Sequence, residues 1–308
     1  MTTVSIDLGG SRVKMGVVTD EKTVEKQTIP SHSDEGLVCL LPQLEPVISE
    51  WRRRYPVGGI GIAFPSLVDP DRKQILCASG KFVDYRQIDF PRWANVKFGL
   101  PMVLENDANA AAIGEHAFGA AKDCDDFVLM ILGTGIGASA MMGGRLIRGK
   151  HHQAGVLMGH IPLKKQGRKC LSCGIGEGCA EAQASTWALA HMVRESDVQS
   201  PLKEEPTVHF ELLQRYYEQG DPLARSLFAE CCEYWSNLLL AMVCAYDPEL
   251  IVVSGGVLKW GDELMEKLRT EVLRRAWTPW GKLRFAAATD PESSVLLGLH
   301  QLCKEKLL

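Results

Sequence analysis

The stretch VSIDLGGSRVKMGVVT (Val4–Thr19) has apolar residues at every second position on both sides of a Gly-Gly pair. Period-two alternation around a glycine turn is typical of a β-hairpin. Asp7 lies just before the turn, so a carboxylate is predicted at the end of the first strand. This hairpin is the feature from which the rest of the fold can be derived.

A second stretch repeats the pattern. FVLMILGTGIGASAMMGG (Phe127–Gly144) again has an apolar strand, a glycine turn and a second strand. Placing Gly9 on Gly133 gives an offset of 124 residues and places Leu8 on Leu132. The repeat predicts two domains of related topology with a boundary near residue 120.

Strand and helix patterns alternate between and after the hairpins, which predicts an α/β fold. The predicted elements are a helix over 34–54, a strand at VGGIGIAFP, a strand and then a helix within Met102–Ala121, a strand at Leu250–Ser254 and a last helix within 291–308. The last helix is expected to fold back on the first domain. We therefore assign residues 1–120 and 291–308 to an N-terminal domain and 121–290 to a C-terminal domain.

Composition excludes several classes of protein. The 308 residues are 46% apolar and 23% charged, with 34 basic and 38 acidic side chains and a net charge of −4. This charge is too small to favour nucleic acid or anionic lipid as a partner. The chain starts without an export signal and its longest apolar run is short, so we expect no membrane span and a cytoplasmic location with mostly reduced cysteines.

Three glycine turns each follow an apolar strand, at Gly9-Gly10-Ser11, Gly133-Thr134-Gly135 and Gly255-Gly256. Glycines let backbone N–H groups approach an anion without a Cβ in the way. One such turn alone is usually only a tight turn, but three turns with nearby hydroxyls favour nucleotide binding. Neither the P-loop pattern nor a dinucleotide-binding G-x-G-x-x-G pattern is present.

Five motifs in order carry a family resemblance: IDLGGSRVKMGVV, LENDANAAAIGE, LGTGIG, CLSCGIGEGCAEAQAS and IVVSGG. Together they resemble the ROK family of bacterial sugar kinases and sugar-responsive repressors, in the actin-like ATPase superfamily. The resemblance spans nearly the whole chain. It implies a two-domain α/β, ribonuclease H-like fold with the active site in an interdomain cleft.

The resemblance also implies how ATP is bound. The first and second glycine turns would bind the phosphates, and the third, Gly255-Gly256, would contact the adenosine. Asp7 would hold Mg²⁺ directly or through water, since carboxylate oxygen suits this cation. Such an arrangement fits phosphoryl transfer, which is catalysed mainly by positioning and charge neutralisation.

The Glu-Asn-Asp sequence resembles the family's motif for the sugar and the general base. By this resemblance Asn106 would bind a sugar hydroxyl, and Asp107 would bind the sugar and take the proton of the attacking hydroxyl. The alternative from the residues alone is that Asp107 only caps the start of a helix.

His160, Cys170, Cys173 and Cys179 form a possible Cys₃His set for a closed structural Zn²⁺ site. Three unrelated free thiols are the alternative. The family usually has Cys-x-Cys-Gly-x-x-Gly-Cys, and each gap here is one residue longer. The resemblance further implies that His160 also contacts the sugar and that Glu181 binds a sugar hydroxyl, whereas a helix-start glutamate at a solvated position is the alternative for Glu181.

Two departures from the family pattern lie on the substrate side. The family commonly has Glu-x-Gly-His, but Leu157 stands three residues before His160, with Val156 before it. Ser66 replaces a usual glycine in FPSLVDP. The identity of the sugar is therefore not fixed by the resemblance.

The sequence thus predicts an ATP-dependent kinase that phosphorylates a hydroxyl of a hexose or N-acylhexosamine, with O6 as the expected acceptor. The alternative is a sugar-binding regulatory or non-catalytic relative. The repressors carry a DNA-binding region before the first hairpin, and here that hairpin starts at residue 4, which favours the kinase. The resemblance implies a homodimer, although the apolar segment at Leu238–Cys244 could equally belong to the core.

Overall fold

The computed structural model describes residues 1–20, 22–78 and 80–307. They divide into two compact units. Unit 1 comprises Met1–Asp123, Arg148–Val156 and Thr289–Leu308, and unit 2 comprises Cys124–Ile147 and Leu157–Ala288. The α/β class and the actin-like ATPase architecture predicted from the motifs are confirmed.

The strands of unit 1 are β1 (Thr2–Leu8), β2 (Arg12–Thr19), β3 (Lys22–Pro30), β4 (Val57–Phe64), β5 (Val68–Asp69), β6 (Gln74–Ile75) and β7 (Met102–Asn106). Its helices are α1 (Leu37–Arg54), α2 (Phe90–Phe98), α3 (Asp107–Phe118) and α9 (Ser294–Leu307). The main sheet has the order β3-β2-β1-β4-β7, in which β1, β4 and β7 are parallel. The predicted hairpin around Gly9-Gly10 is confirmed as the antiparallel pair β1 and β2.

The strands of unit 2 are β8 (Phe127–Leu132), β9 (Ile136–Met142), β10 (Arg145–Leu146), β11 (Leu250–Ser254) and β12 (Arg284–Ala287). Its helices are α4 (Ala180–Ala184), α5 (Thr186–Glu195), α6 (Phe210–Glu218), α7 (Pro222–Tyr246) and α8 (Asp262–Arg275). The sheet order β10-β9-β8-β11-β12 repeats the layout of unit 1, with a hairpin followed by parallel strands. The internal repeat found in the sequence therefore corresponds to two sheets of the same plan.

Helix α1 begins at Leu37, three residues later than predicted. Its first amides have no local cap and donate instead to Asp84, from Leu37 N at 2.8 Å and Val38 N at 2.8 Å. A side chain distant in sequence therefore decides where the helix starts. Helix α2 was missed by the periodicity, although its ends have clear local signals: Asp89 caps it, Pro91 lies in its first turn, and Gly99 ends it in the left-handed conformation.

Helix α7 is long and apolar enough to cross a membrane, but 56% of its most apolar 18-residue window is buried. Leu238, Leu239, Met242 and Val243 all lie in the core of unit 2. This burial supports the core alternative for the predicted apolar segment.

Helix α9 packs against α3 with direct backbone contact. A Cβ added at Gly298 would lie 1.8 Å from Ala110 O, and one at Gly114 would lie 2.0 Å from Ser294 O. The carboxylate of Glu115 accepts hydrogen bonds from the Ser294 hydroxyl and the Thr289 amide. Two glycines thus allow α9 to pack closely against α3.

We expect Gly298→Ala to destabilise the protein by more than about 2 kcal/mol, because the added methyl group meets backbone that cannot rotate away. Urea unfolding measures the effect. Gly58→Ala is the control, since a Cβ there would meet its nearest neighbour at an ordinary 3.4 Å. Equal stability of the two variants would contradict the close packing of α3 and α9.

Candidate functional site

Two carboxylates lie at the same edge of the main sheet of unit 1. Asp7 is near the end of β1, and Asp107 directly follows β7. Both strands are parallel to β4, which lies between them, and the register pairs Asp7 with Ala63 and Asn106 with Phe64. The carboxyl ends of parallel strands are the usual place for ligands in α/β sheets. We call Asp7 and Asp107 the carboxylate pair.

Burial raises the pKa of both carboxylates of the pair. Burial raises the pKa of Asp7 to about 7, with a further contribution from the charge of Asp107. Burial also raises the pKa of Asp107, opposed mainly by the Ala108 amide, which donates to Oδ1 at 2.8 Å. Lys14, opposite Asp7 in the hairpin, lowers the pKa of Asp7, and its ammonium is paired with Glu292 at 2.7 Å.

Asn106 caps helix α3 and orients Asp107. Its Oδ1 accepts from the Asn109 amide at 3.1 Å, which is an N-cap hydrogen bond. Its Nδ2 donates to Ser66 O at 3.1 Å and to Asp107 Oδ1 at 2.9 Å. Asn106, and not Asp107, therefore supplies the N-cap of α3. The second carboxylate oxygen of Asp107 takes no part in this cap.

A buried ion pair that was not predicted from the sequence lies at the residue before Asn106. Glu105 is fully buried and binds the Arg148 guanidinium with both oxygens, at 3.0 Å and 2.5 Å. Glu105 Oε1 also accepts from the Asn106 amide at 2.9 Å and from Asn109 Nδ2 at 3.2 Å. A buried charge needs this degree of pairing, so the ion pair fixes the backbone that presents Asp107. No sequence signal connects two residues that lie 43 positions apart.

The first glycine turn is restricted by its neighbours. A Cβ on Gly9 would lie 2.5 Å from Arg12 O, and a Cβ on Gly10 would lie 2.5 Å from Lys81 Cε. Ser11 is exposed beside them. Lys81 is a second residue that the sequence analysis missed, because it belongs to a loop that lacks a recognised motif.

The second and third glycine turns lie side by side in unit 2. Gly133 to Gly135 follow β8, and Gly255 and Gly256 follow the neighbouring parallel strand β11. Gly255 has a φ of +102°, and a Cβ there would lie 2.2 Å from Leu132 O, so both conformation and space require glycine.

The start of α5 anchors the second turn. Gly133 O accepts from the Thr186 amide at 3.1 Å and from its hydroxyl at 2.8 Å. Thr134 is exposed at the tip of the turn.

The predicted metal ligands converge in unit 2. His160, Cys170, Cys173 and Cys179 each offer a donor atom within 4.8 Å of the other three. Cys170 Sγ lies 3.5 Å from His160 Nδ1. Edges of about 3.5 to 3.8 Å are what a tetrahedron with Zn–S near ~2.3 Å and Zn–N near ~2.0 Å requires. The residues therefore fit Zn²⁺, despite the two lengthened gaps.

Crowding of the thiols supports the same interpretation. Burial and the neighbouring Cys170 and Cys173 sulfurs raise the pKa of Cys179 to about 12. Without a metal, the Cys179 thiol therefore stays protonated at neutral pH, and a cation that binds its thiolate would release this proton. We call the four residues the Cys/His cluster.

Glu181 is held between the cluster and the second glycine turn. Its Oε2 accepts from the Ile136 amide at 2.9 Å, and its Oε1 accepts from the Ser172 hydroxyl. A Cβ on Gly135 would lie 2.3 Å from Oε2, so the glycine makes room for the carboxylate. Ser172 lies in the lengthened gap between Cys170 and Cys173. This gap therefore contributes a hydroxyl group that binds Glu181. The solvated helix-start alternative does not describe Glu181, since it is half-buried and hydrogen-bonded.

The short helical turn Val156–His160 leads into the cluster. Leu157 is half-buried and occupies the position where the family commonly has a glutamate, and Val156 before it is 8% exposed.

Comparison with known proteins identifies the family. The ROK family model matches residues 3–306. A glucokinase of Streptomyces coelicolor is 27% identical, covering 98% of each chain. The crystal structure of a ROK family glucokinase from Streptomyces griseus, in complex with glucose and AMPPNP, is 26% identical, covers 99% of this chain and 100% of that chain, and superposes with a TM-score of 0.84. A ROK hexokinase from Thermus thermophilus is 30% identical, with coverages of 99% and 100% and a TM-score of 0.79.

The raised pKa of Asp7 has a consequence for stability. A carboxyl group whose pKa rises from 3.8 to about 7 on folding stabilises the fold below pH 4, and this contribution is lost as the pH rises through 7. We expect Asp7→Asn to be more stable than wild type at pH 8 without magnesium or nucleotide. The full pKa shift corresponds to about 4 kcal/mol, and the measured gain should be smaller because Asp7 is only half-buried. The difference should shrink at pH 4 in urea unfolding. Exposed Asp123→Asn is the control, and a pH-independent difference for Asp7→Asn would contradict the assigned pKa.

Proposed function

The chain belongs to the ROK family, and we propose that it is an ATP-dependent carbohydrate kinase in which Asp107 is the general base. The observation that carries the proposal is the carboxylate pair at the edge of a sheet, beside a glycine turn whose Gly9 has no room for a side chain next to the Arg12 carbonyl. Glucokinase and hexokinase relatives that match over nearly the full chain support the same activity.

The proposed reaction transfers the γ-phosphoryl group of ATP to the O6 hydroxyl of a hexose or N-acylhexosamine. Oxygen O6 forms a bond to the γ-phosphorus while the bond from this phosphorus to the bridging oxygen breaks. The electron pair of the broken bond leaves with ADP, and the hydroxyl proton passes to the Asp107 carboxylate. A pKa raised by burial brings this carboxylate closer to neutral pH, where a general base works best.

We propose phosphate contacts from Gly9, Gly10, Ser11, Gly133, Thr134 and Gly135, and adenosine contacts from Gly255 and Gly256. Mg²⁺, when bound with ATP, would neutralise phosphate charge, and Asp7 is suited to hold it, since a carboxyl kept partly protonated by burial and by Asp107 gains from a cation.

Asn106, His160 and Glu181 are proposed to contact the sugar together with Asp107. The amide hydrogens of Asn106 are already used by Ser66 and Asp107, so only its Oδ1 has capacity left for a sugar hydroxyl. Each oxygen of Glu181 has one protein donor and can accept a second. With Leu157 in place of the family's glutamate, the sugar would be bound without that charged acceptor.

A structural Zn²⁺ is part of the proposal. His160, Cys170, Cys173 and Cys179 would hold it with all four positions filled, so it supplies order and not a reactive site. We further propose a homodimer in the cytoplasm, as the family resemblance implies. The regulatory or non-catalytic alternative predicts sugar binding without turnover, which the activity test below distinguishes.

We expect phosphorylation of at least one sugar in a panel of glucose, mannose, fructose, N-acetylglucosamine and N-acetylmannosamine, measured by coupled ADP release. Asp107→Asn should lower kcat by about 10² to 10⁴ because the base is lost. In wild type, kcat/KM should fall on the acid side as Asp107 is protonated. Exposed Asp123→Asn is the matched control. Turnover by Asp107→Asn equal to wild type would remove Asp107 as the base, and ATP binding without turnover of any sugar would contradict the kinase.

We expect purified protein to contain about one zinc ion per chain and Cys173→Ser to lose it. Loss of the metal should lower Tm by about 5 °C or more, because the loop around the cluster depends on it. Metal analysis and thermal melting measure both effects. Cys39→Ser, at an exposed cysteine outside the cluster, should change neither. Zinc-free protein whose melting is unaffected by Cys173→Ser would contradict the metal site.

A further inference from the structure

Lys81 lies in a loop that is fixed directly to the first glycine turn. The next residue, Phe82, is fully buried and has a φ of +53°, which is a strained conformation for a bulky aromatic residue. Its amide donates to Ser33 O at 2.9 Å, and the Ser33 hydroxyl donates to Gly10 O at 2.9 Å. Strain of this kind persists only where the surroundings impose it, and it concentrates at functional sites.

The side chain of Lys81 covers Gly10. A Cβ built on Gly10 would lie 2.5 Å from Lys81 Cε, 2.6 Å from Nζ and 2.8 Å from Cδ. Lys81 is also close enough to Asp107 for its charge to lower the pKa of that carboxyl. The ammonium is therefore near both the turn proposed to bind phosphate and the carboxylate proposed to take the proton.

Lys14, which also lies beside the carboxylate pair, forms an ion pair with another residue. The Lys14 ammonium is paired with Glu292 at 2.7 Å, so its charge is largely balanced. Within the described residues, no carboxylate lies within ion-pair distance of the Lys81 ammonium. Lys81 thus brings a positive charge to the carboxylate pair without an anionic partner of its own.

We propose that Lys81 is a catalytic residue whose ammonium binds the γ-phosphoryl group during its transfer from ATP to the sugar hydroxyl. This rests on the proposed kinase function and adds a residue to it. Negative charge on the transferring group is stabilised best by a cation that is already in place, and lysine binds phosphate as a point charge. Lys81 forms no covalent bond and transfers no proton in this role, while Asp107 takes the proton of the hydroxyl.

Steady-state kinetics of Lys81→Met with the panel sugar that gives the highest rate tests the proposal. We expect kcat to fall by about 10² to 10³, with sugar KM and MgADP affinity changed by less than about 3-fold, because the contact is made mainly during transfer. Lys81→Arg should recover at least about 10-fold of the loss, since it keeps the charge. Lys122→Met, at an exposed lysine of the same unit, is the control and should match wild type.

A binding measurement separates catalysis from a purely structural role. MgADP with aluminium fluoride and the same sugar mimics the transferring group, so Lys81→Met should weaken this complex by a factor similar to the loss in kcat while leaving MgADP alone unchanged. If Lys81→Met lowers Tm and weakens binding of MgADP alone as much as binding of MgADP with aluminium fluoride and sugar, the proposal is overturned. If Lys81→Met does not fold, Lys81→Gln replaces it, and activity of Lys81→Gln equal to Lys81→Arg would overturn it as well.

The outcome for wild type keeps the two proposals distinguishable. Wild type inactive with every sugar overturns the kinase and the role of Lys81 together. An active wild type with an equally active Lys81→Met overturns the role of Lys81 alone.

Discussion

The proximity of two carboxylates within one unit is the constraint on which the proposed chemistry depends. The sheet order places β1 and β7 on either side of β4 with the same direction, so Asp7 and Asp107 arrive at one edge. Each is removed from water enough for burial to raise its pKa, and the charge of Asp107 adds to the effect on Asp7. Keeping both carboxylates ionised costs free energy in the protein without ligands. A cationic or proton-donating ligand lowers this cost.

The surrounding packing holds this arrangement in place. The ion pair between Glu105 and Arg148 fixes the backbone before Asp107, and Asn106 caps α3 while orienting the carboxylate. The glycine contacts between α3 and α9 attach the last helix to the same unit. Stability and site geometry are therefore supplied by the same helix.

Much of this could be predicted because its signals are local. The hairpin around Gly9 and Gly10, the repeat at Gly133, the strand and helix around Asp107 and the cysteine spacing are all readable within short windows. The structure adds that a Cβ at Gly9 or Gly255 would meet a backbone carbonyl oxygen, so both turns require glycine at these positions.

The missed features depend on contacts between distant segments. Arg148 reaches Glu105 across 43 residues, and Asp84 caps α1 from 47 residues away. Lys81 is identified as a site residue only by its position over Gly10. Ser172 is identified only by its hydrogen bond to Glu181. A single sequence has no periodicity or motif that connects these partners. The sugar itself also stays open, because Val156 and Leu157 depart from the family pattern without indicating a replacement.

The most direct test of the central claim is a carboxyl ¹³C NMR titration of Asp7 and Asp107, assigned by Asp7→Asn and Asp107→Asn. In the protein without magnesium and nucleotide, the account expects a coupled titration with one apparent pKa near 7, which moves to lower pH when MgADP is added. Titration of both carboxyls near the ordinary value of 3.8, unchanged by MgADP, would contradict it.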